Sequence, residues 1–382
     1  MAEMIKRALL EPIISKMTTS DKIVIIYGAR QVGKTTLANQ IIDRLGLKTL
    51  RINADEKKYT DVLGSRDLDK MKSLVSGYEL LFIDEAQRIE NIGINLKILA
   101  DGMKGLKIIV TGSSSFELAN KIKEPLTGRT WTYTLYPLSF LELSESRNDF
   151  ELNGLLESSL VQGAYPEVFS TENVNDKRKL LEEIATSYLY KDILELDSVR
   201  KSEKIYKLLK LLAFQIGQEV SINELANTLD MGSATVRRYL DLLEQSFVIF
   251  RLSALAKNPR AEIAKKDKIY FCDLGIRNVL IDNLNPLENR NDQGALFENF
   301  LVLERTKKIR YKEILATSYF WRAYTGSEID YIEDEGGTYR AYEFKYGKGS
   351  ARRPLKFFET YGESEFAIVN RENFLEFVTG VK

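Results

Sequence analysis

The segment Gly28-Ala-Arg-Gln-Val-Gly33-Lys34-Thr35 constrains the fold of this chain more than any other. It has the spacing G-x-x-x-x-G-K-[ST] and stands between the β-branched run Ile23-Val-Ile-Ile-Tyr27 and a helical pattern that continues from Thr36. Strand, tight loop and helix must therefore follow one another here. Gly28 and Gly33 let the backbone curl so that its N–H groups and the helix N-terminus face an anion. Lys34 is then in reach of the β- and γ-phosphates of a nucleotide, and Thr35 offers a hydroxyl to a divalent cation. The expected binding set is Gly28, Ala29, Arg30, Gln31, Val32, Gly33, Lys34, Thr35 and Thr36, with ATP and Mg²⁺ as cofactors. A plain glycine-rich turn is the alternative, and a second motif weighs against it.

That motif is Leu80-Leu-Phe-Ile-Asp84-Glu85, an apolar strand ending in two adjacent carboxylates. Two acids at the end of a buried strand are costly without a cation. Asp84 is expected to hold Mg²⁺ and Glu85 to polarise the attacking water. The run Lys107-Ile-Ile-Val-Thr-Gly112 then delivers Ser113 and Ser114 towards the same place, unless they form only a turn. Arg129 is the candidate cation for transition-state charge, in cis or in trans, with a surface arginine opening a strand as the alternative. Between Lys22 and Tyr136, short β-branched runs alternate with helical patterns, which predicts an α/β domain with a parallel sheet.

Composition narrows the chemistry. The chain has no histidine, so Ser-His-Asp and Cys-His nucleophiles and all His-containing zinc sites are excluded. Lys+Arg and Asp+Glu are both 55, so a nucleic-acid surface has to be a local patch and not a global field. The single cysteine, Cys272, can form no internal disulfide, which suits a cytoplasmic protein. No run approaches the roughly 18 apolar residues of a membrane span. The N-terminal stretch up to Met17 has helical spacing and reads as a docking helix.

Beyond the first domain, residues 137–200 turn helical and read as a lid or linker. Residues 201–255 show three helical patterns and then a β-rich run, the order of a winged helix-turn-helix. Its recognition helix would be Ser233–Gln245, presenting Ser233, Thr235, Arg237 and Arg238 to nucleic acid. Asp230, Asp241 and Glu244 dilute its charge, so a packing element or protein dock is equally open. Lys257, Arg260, Lys265, Lys266 and Lys268 follow and favour phosphate binding.

These features, with Gly128-Arg129, Tyr136-Pro-Leu-Ser-Phe-Leu-Glu142, Gly163-Ala-Tyr-Pro-Glu167 and Tyr190-Lys-Asp192, resemble the AAA+ ATPases of bacteria and archaea that carry a nuclease-like C-terminal domain of unknown function. The resemblance covers most of the chain. It implies residues 1–136 as the ATPase core, with sheet order 5-1-4-3-2 and the Asp84 strand separated from the P-loop strand. Residues 256–382 would be the nuclease-like domain. There, Glu343 and Lys345 in Tyr342-Glu-Phe-Lys-Tyr346 alternate onto one face of a strand, downstream of Glu298 and Asp330. That order resembles the PD-(D/E)xK core, which implies Mg²⁺ on Asp330, Glu343 and Glu298, with Lys345 orienting water. An exposed Glu–Lys pair on a strand is the alternative. Lys348, Arg352, Arg353 and Lys356 follow with no intervening acid, as a phosphate-tracking cluster or a solvated basic loop. The expected activity is Mg²⁺-dependent ATP hydrolysis that moves the winged helix and nuclease-like module on DNA or another nucleic acid. A nucleotide-dependent switch that binds a protein partner is the alternative, and a homo-oligomer fits either.

Overall fold

The computed structural model describes residues 5–113, 126–196, 202–256, 266–323, 326–350, 352–362 and 364–380, with the backbone alone for 187–196 and 202. The chain divides into two compact units, Met4–Pro137 with Gln245–Phe247, and Leu138–Glu244 with Val248–Lys382.

The first unit is a five-stranded sheet of β1 (Ile23–Tyr27), β2 (Thr49–Asn53), β3 (Leu80–Asp84), β4 (Lys107–Gly112) and β5 (Thr130–Thr134). All neighbours pair in parallel, in the order β2-β3-β4-β1-β5, which is the expected 5-1-4-3-2. Every residue of β1 is buried, as a strand covered on both faces requires. Helices Lys34–Leu45, Lys57–Leu63, Leu68–Val75 and Ile92–Gly102 connect the strands. Ile25, Ile83 and Val110 of the central strands pack with Leu96 and Leu99 in one core. Because β4 separates β1 from β3, the ends of the P-loop strand and the Asp84 strand flank a crevice at the carboxyl edge of the sheet, where open α/β sheets bind ligands. The N-terminal helix Leu10–Thr19 buries Leu10, Ile13 and Met17 and packs beside helix Lys34–Leu45, matching its reading as a docking helix.

The second unit begins with helices Phe140–Leu143, Asp149–Gln162, Pro166–Ser170 and Val174–Leu196, then Ser202–Phe214, Ile222–Thr228 and Ser233–Gln245. Its strands are β6 (Ile249–Ala254), β7 (Lys268–Phe271), β8 (Thr317–Arg322), β9 (Glu328–Glu335), β10 (Thr338–Phe344) and β11 (Glu365–Val369). They form a mixed sheet in the order β11-β10-β9-β8-β6-β7. β6 pairs antiparallel with β7 on one side and parallel with β8 on the other, so the sheet crosses residue 255, where the sequence suggests a boundary. Helix Gln293–Tyr311 packs against β7 and β10.

Two sequence motifs are used inside this unit as structural fastenings. Ser139 and Glu142 form a capping box, the Phe140 amide donates to Glu304 Oε2 at 2.7 Å, and Lys307 Nζ donates to the Leu138 carbonyl at 2.9 Å. The Phe140 ring meets Phe300 edge-on at 5.0 Å. At Gly163, φ is +73° and a Cβ would fall 2.1 Å from Asp273 Oδ1, so only glycine lets the carboxylate close in. Asp273 accepts from the Ala164 amide at 2.8 Å and from the Ile276 amide at 3.1 Å, capping helix Leu274–Leu280.

Candidate nucleotide-binding site

Gly28 leaves the end of β1 directly under the chain that continues β5. A Cβ there would lie 2.2 Å from the Leu135 carbonyl oxygen, so the loop needs glycine for this approach. Gly33 takes a left-handed φ of +95° as the N-cap of helix Lys34–Leu45, with no side chain capping it. The first amides of that helix are thus left for an anion. Ala29 and Val32 are buried, Arg30 is half-buried, and Gln31 and Thr36 are exposed. Gln31 is left-handed as well, with φ of 61°. Lys34 is buried, and its Nζ donates to the carbonyls of Gly28 at 3.0 Å and Ala29 at 2.8 Å. Its ammonium therefore stands over the loop, with the loop's own carbonyls as its present acceptors.

The two motifs meet across the crevice. The Thr35 hydroxyl donates to Asp84 Oδ2 at 2.8 Å, and Thr111 donates to Asp84 Oδ1. Glu85 turns off the strand into a left-handed conformation, φ 54°, which costs on the order of 1 kcal/mol and is held by its surroundings. Gln87 is part of that restraint, donating from Nε2 to Glu85 Oε2 and to Ser113 Oγ at 3.0 Å. Uncapped amides, an ammonium, a hydroxyl and a carboxylate so gathered can take a polyphosphate and a hard cation, which prefers oxygen ligands.

Ser113 comes to the site through Gln87, while Ser114 lies outside the described residues. Gln87, Thr111 and Arg7 are additions to the set read from sequence. Thr111 and Gln87 stand within two residues of Ser113 and Glu85, a proximity that could have flagged them. Arg7 carries no such signal. It is buried, donates Nη1 to Val32 O and Nη2 to Tyr136 O, both at 2.7 Å, and so fastens the P-loop from the N-terminal segment.

Arg129 is placed elsewhere. Its carbonyl accepts from the Ile23 amide at the opening of β1, and its guanidinium Nε pairs with Asp101 Oδ1 at 3.3 Å. The P-loop lies at the other end of β1, roughly 16 Å away at about 3.3 Å per residue. In this structure its guanidinium is paired with Asp101 at that opposite edge and not directed at the loop.

In the second unit the structure brings together Glu298, Asp330, Glu343 and Lys345, with Lys268 among them. Lys345, the residue just past the end of β10, has its Nζ 2.8 Å from Glu343 Oε1. Asp330 Oδ2 accepts from the Phe344 amide at 2.8 Å. Lys268, expected as a phosphate-binding surface residue, is instead 3% exposed, with its ammonium 3.0 Å from Glu298 and 2.7 Å from Glu328. Among the described residues no group of three or more His, Cys, Asp or Glu is arranged to hold a metal. A lysine ammonium thus stands among the carboxylates expected to form an Mg²⁺ shell, Glu298, Asp330 and Glu343. Burial pushes Glu298 up to about 7, against the pull of Lys268, and raises Asp330 and Glu343 as well. Burial opposes the charge on Lys268, yet Glu298, Glu328 and Asp330 outweigh it and hold its pKa above the ordinary lysine value.

On helix Ser233–Gln245, Thr235, Arg237 and Arg238 are exposed, and the Ser233 hydroxyl donates to Asn223 Oδ1 at 3.1 Å. Lys348 pairs with Glu372 at 3.1 Å, Arg353 lies over the Phe358 ring at 3.9 Å, and Arg352 and Lys356 are exposed. Lys257, Arg260 and Lys265 fall outside the described residues, as do the side chains of Tyr190 and Asp192. Among the described residues no helix is long and apolar enough to cross a membrane.

Residues 20–144 match the model of a family described as an AAA domain. Residues 153–287 and 293–376 match two families, each described as a domain of unknown function (DUF8612 and DUF4143). An uncharacterized protein of Mycobacterium tuberculosis is 29% identical over 321 residues, covering 83% of this chain and 69% of that protein. An uncharacterized protein of Methanocaldococcus jannaschii is 27% identical over 307 residues, covering 75% of this chain and 67% of the relative. Among solved structures, the Walker-type ATPase of Pyrococcus abyssi aligns over 73% of this chain and 96% of its own, at 14% identity and a TM-score of 0.49. The RuvB Holliday junction branch migration motor of Thermotoga maritima aligns over 67% and 91%, at 19% identity and a TM-score of 0.32. With its parallel sheet and its glycine-lined loop, the first unit of this chain has an α/β P-loop fold, and residues 20–144 within it are similar to the AAA domain family.

Proposed function

We propose that the first unit binds and hydrolyses ATP with Mg²⁺. The observation that carries this is the meeting of Thr35 with Asp84 at 2.8 Å, beside Glu85 and the uncapped start of helix Lys34–Leu45. When bound, Mg²⁺ would neutralise phosphate charge, with Thr35 and Asp84 as its protein anchors. The Lys34 ammonium exchanges the Gly28 and Ala29 carbonyls for phosphate oxygens. Glu85 accepts the proton of the attacking water, and Gln87 holds its carboxylate in place against Ser113. The expected test result is that Lys34→Ala loses ATP binding, whereas Glu85→Gln keeps binding and loses most turnover. Unchanged turnover in both variants refutes the assignment.

The work done with that ATP is assigned to the second unit, acting on nucleic acid. Three helices, Ser202–Phe214, Ile222–Thr228 and Ser233–Gln245, followed by β6 and by its antiparallel partner β7 beyond residue 255, support a winged helix-turn-helix built on 201–255 whose second wing strand lies past that segment. The exposed Thr235, Arg237 and Arg238 lie in its recognition helix. Residues 137–200 are then the helical linker and 256–382 the nuclease-like domain, the whole serving as a cytoplasmic, nucleotide-driven binder. Duplex DNA binding should weaken steeply with salt and fall further in an Arg237→Ala, Arg238→Ala variant. Absence of binding at low salt would shift the assignment to a protein partner.

A further inference from the structure

The acidic cluster of the second unit has the residue types of a metal-dependent nuclease centre, and each of its carboxylates already faces a donor within the chain. Lys268 opens β7, where its backbone pairs with Leu252, and its side chain is 3% exposed. From there Nζ lies 2.7 Å from Glu328 Oε1, 3.0 Å from Glu298 Oε1 and 4.0 Å from Asp330 Oδ1. Tyr270, two residues along the same strand face, donates its hydroxyl to the same Glu298 oxygen at 2.6 Å. Glu328 also faces Arg322 at 3.7 Å, Asp330 takes the Phe344 amide, and Glu343 takes Lys345. Each carboxylate thus has a donor within the chain.

A divalent ion would need several of these oxygens at about 2.0–2.6 Å, and Lys268, Tyr270, the Phe344 amide and Lys345 already engage one oxygen each of Glu298, Asp330 and Glu343. It would also have to settle within a few ångströms of a buried ammonium, where like charges repel strongly in a medium of low dielectric. Four carboxylates face the three cations Lys268, Lys345 and Arg322, so most of the charge that a metal would neutralise is already met. We propose that the Lys268 ammonium is the permanent cation of this cluster, so that the cluster takes no divalent metal and cuts no nucleic acid. The nuclease-like domain is then a binding element whose former metal position is a salt-bridge lock joining β7, β9 and helix Gln293–Tyr311. This inference is independent of the ATP assignment, which concerns the other unit.

The reciprocal consequence is that deleting the ammonium uncovers a metal site. Mn²⁺ serves as the probe, titrated by its electron paramagnetic resonance signal into the full, nucleotide-free chain on an Asp84→Asn background, which removes the metal carboxylate of the first unit. With Lys268 present, no Mn²⁺ should bind in a manner that depends on Asp330, and a supercoiled plasmid should stay intact with Mn²⁺ or Mg²⁺. The Lys268→Ala chain should take up Mn²⁺ and show a melting temperature that rises with Mn²⁺, both effects lost on adding Asp330→Asn. The proposal is overturned if the Lys268 chain binds Mn²⁺ or nicks plasmid and Asp330→Asn abolishes it, a comparison that stands even if Lys268→Ala fails to fold. A folded Lys268→Ala chain that ignores Mn²⁺ overturns it too.

Discussion

Gln87 donates to Ser113 Oγ at 3.0 Å while the same amide nitrogen holds Glu85 Oε2, so one side chain links the ends of β3 and β4. Glu85 sits in a left-handed conformation and depends on such a restraint to keep its carboxylate aimed. Gln87→Ala should therefore lower kcat by roughly 10²-fold, the scale of a misplacement of about 1 Å, with ATP affinity nearly unchanged. Steady-state turnover and equilibrium binding of a fluorescent ATP analogue, measured side by side, check the split. An equal loss of binding would make Gln87 a structural residue and nothing more.

Arg7 acts on the loop from outside the motif. Its two charged hydrogen bonds, to Val32 and Tyr136, are buried, and each such bond contributes about 1.5–3 kcal/mol. Arg7→Ala is expected to lower stability by on the order of 3 kcal/mol and to weaken ATP binding by loosening the Val32 turn. Arg7→Lys should fall between the two, since a single ammonium lacks the planar fork that serves both carbonyls. Urea melts and ATP-analogue titrations of the three chains give the order.

Asp273 supplies a pH signature in the second unit. Burial raises its pKa to about 6, against the amides of Ala164 and Ile276 that favour the charged form. Below the ordinary carboxylate range both folded and unfolded chains hold the proton, and no penalty arises. Between about 4 and 6 the unfolded chain has lost the proton and the folded chain retains it, so this group's contribution becomes more unfavourable as pH rises. Wild-type stability relative to Asp273→Asn should decline across that window by on the order of 2 kcal/mol and level off above it. Urea unfolding of both chains at pH 4, 5, 6 and 7 measures the difference, and a flat difference would contradict the assignment.

Local pattern made the first unit legible. The β-branched runs, the helix following Gly33 and the carboxylate pair ending β3 are set by periods and turn chemistry within about ten residues, and these suffice for a strand-loop-helix with a phosphate-sized mouth. The strand order came from resemblance and agrees with the pairing observed. Glu343 and Lys345, two residues apart, meet as an ion pair at the end of β10. What local pattern leaves open is which distant residue fills a given space. Arg7 meets Tyr136 across 129 residues, Arg129 is carried to the edge of the sheet opposite the P-loop, and Lys268 enters an acidic cluster whose nearest member in sequence is 30 residues away. In sequence Lys268 is one basic residue after a β-rich run. Only the pairing of β7 with β6, and the packing of helix Gln293–Tyr311 on it, turn that ammonium inward. The chain's residue order therefore determined what the first unit can bind, whereas tertiary packing decided which charges of the second unit meet ligand and which meet one another, because a buried charge takes its partner from whatever the fold brings within a few ångströms.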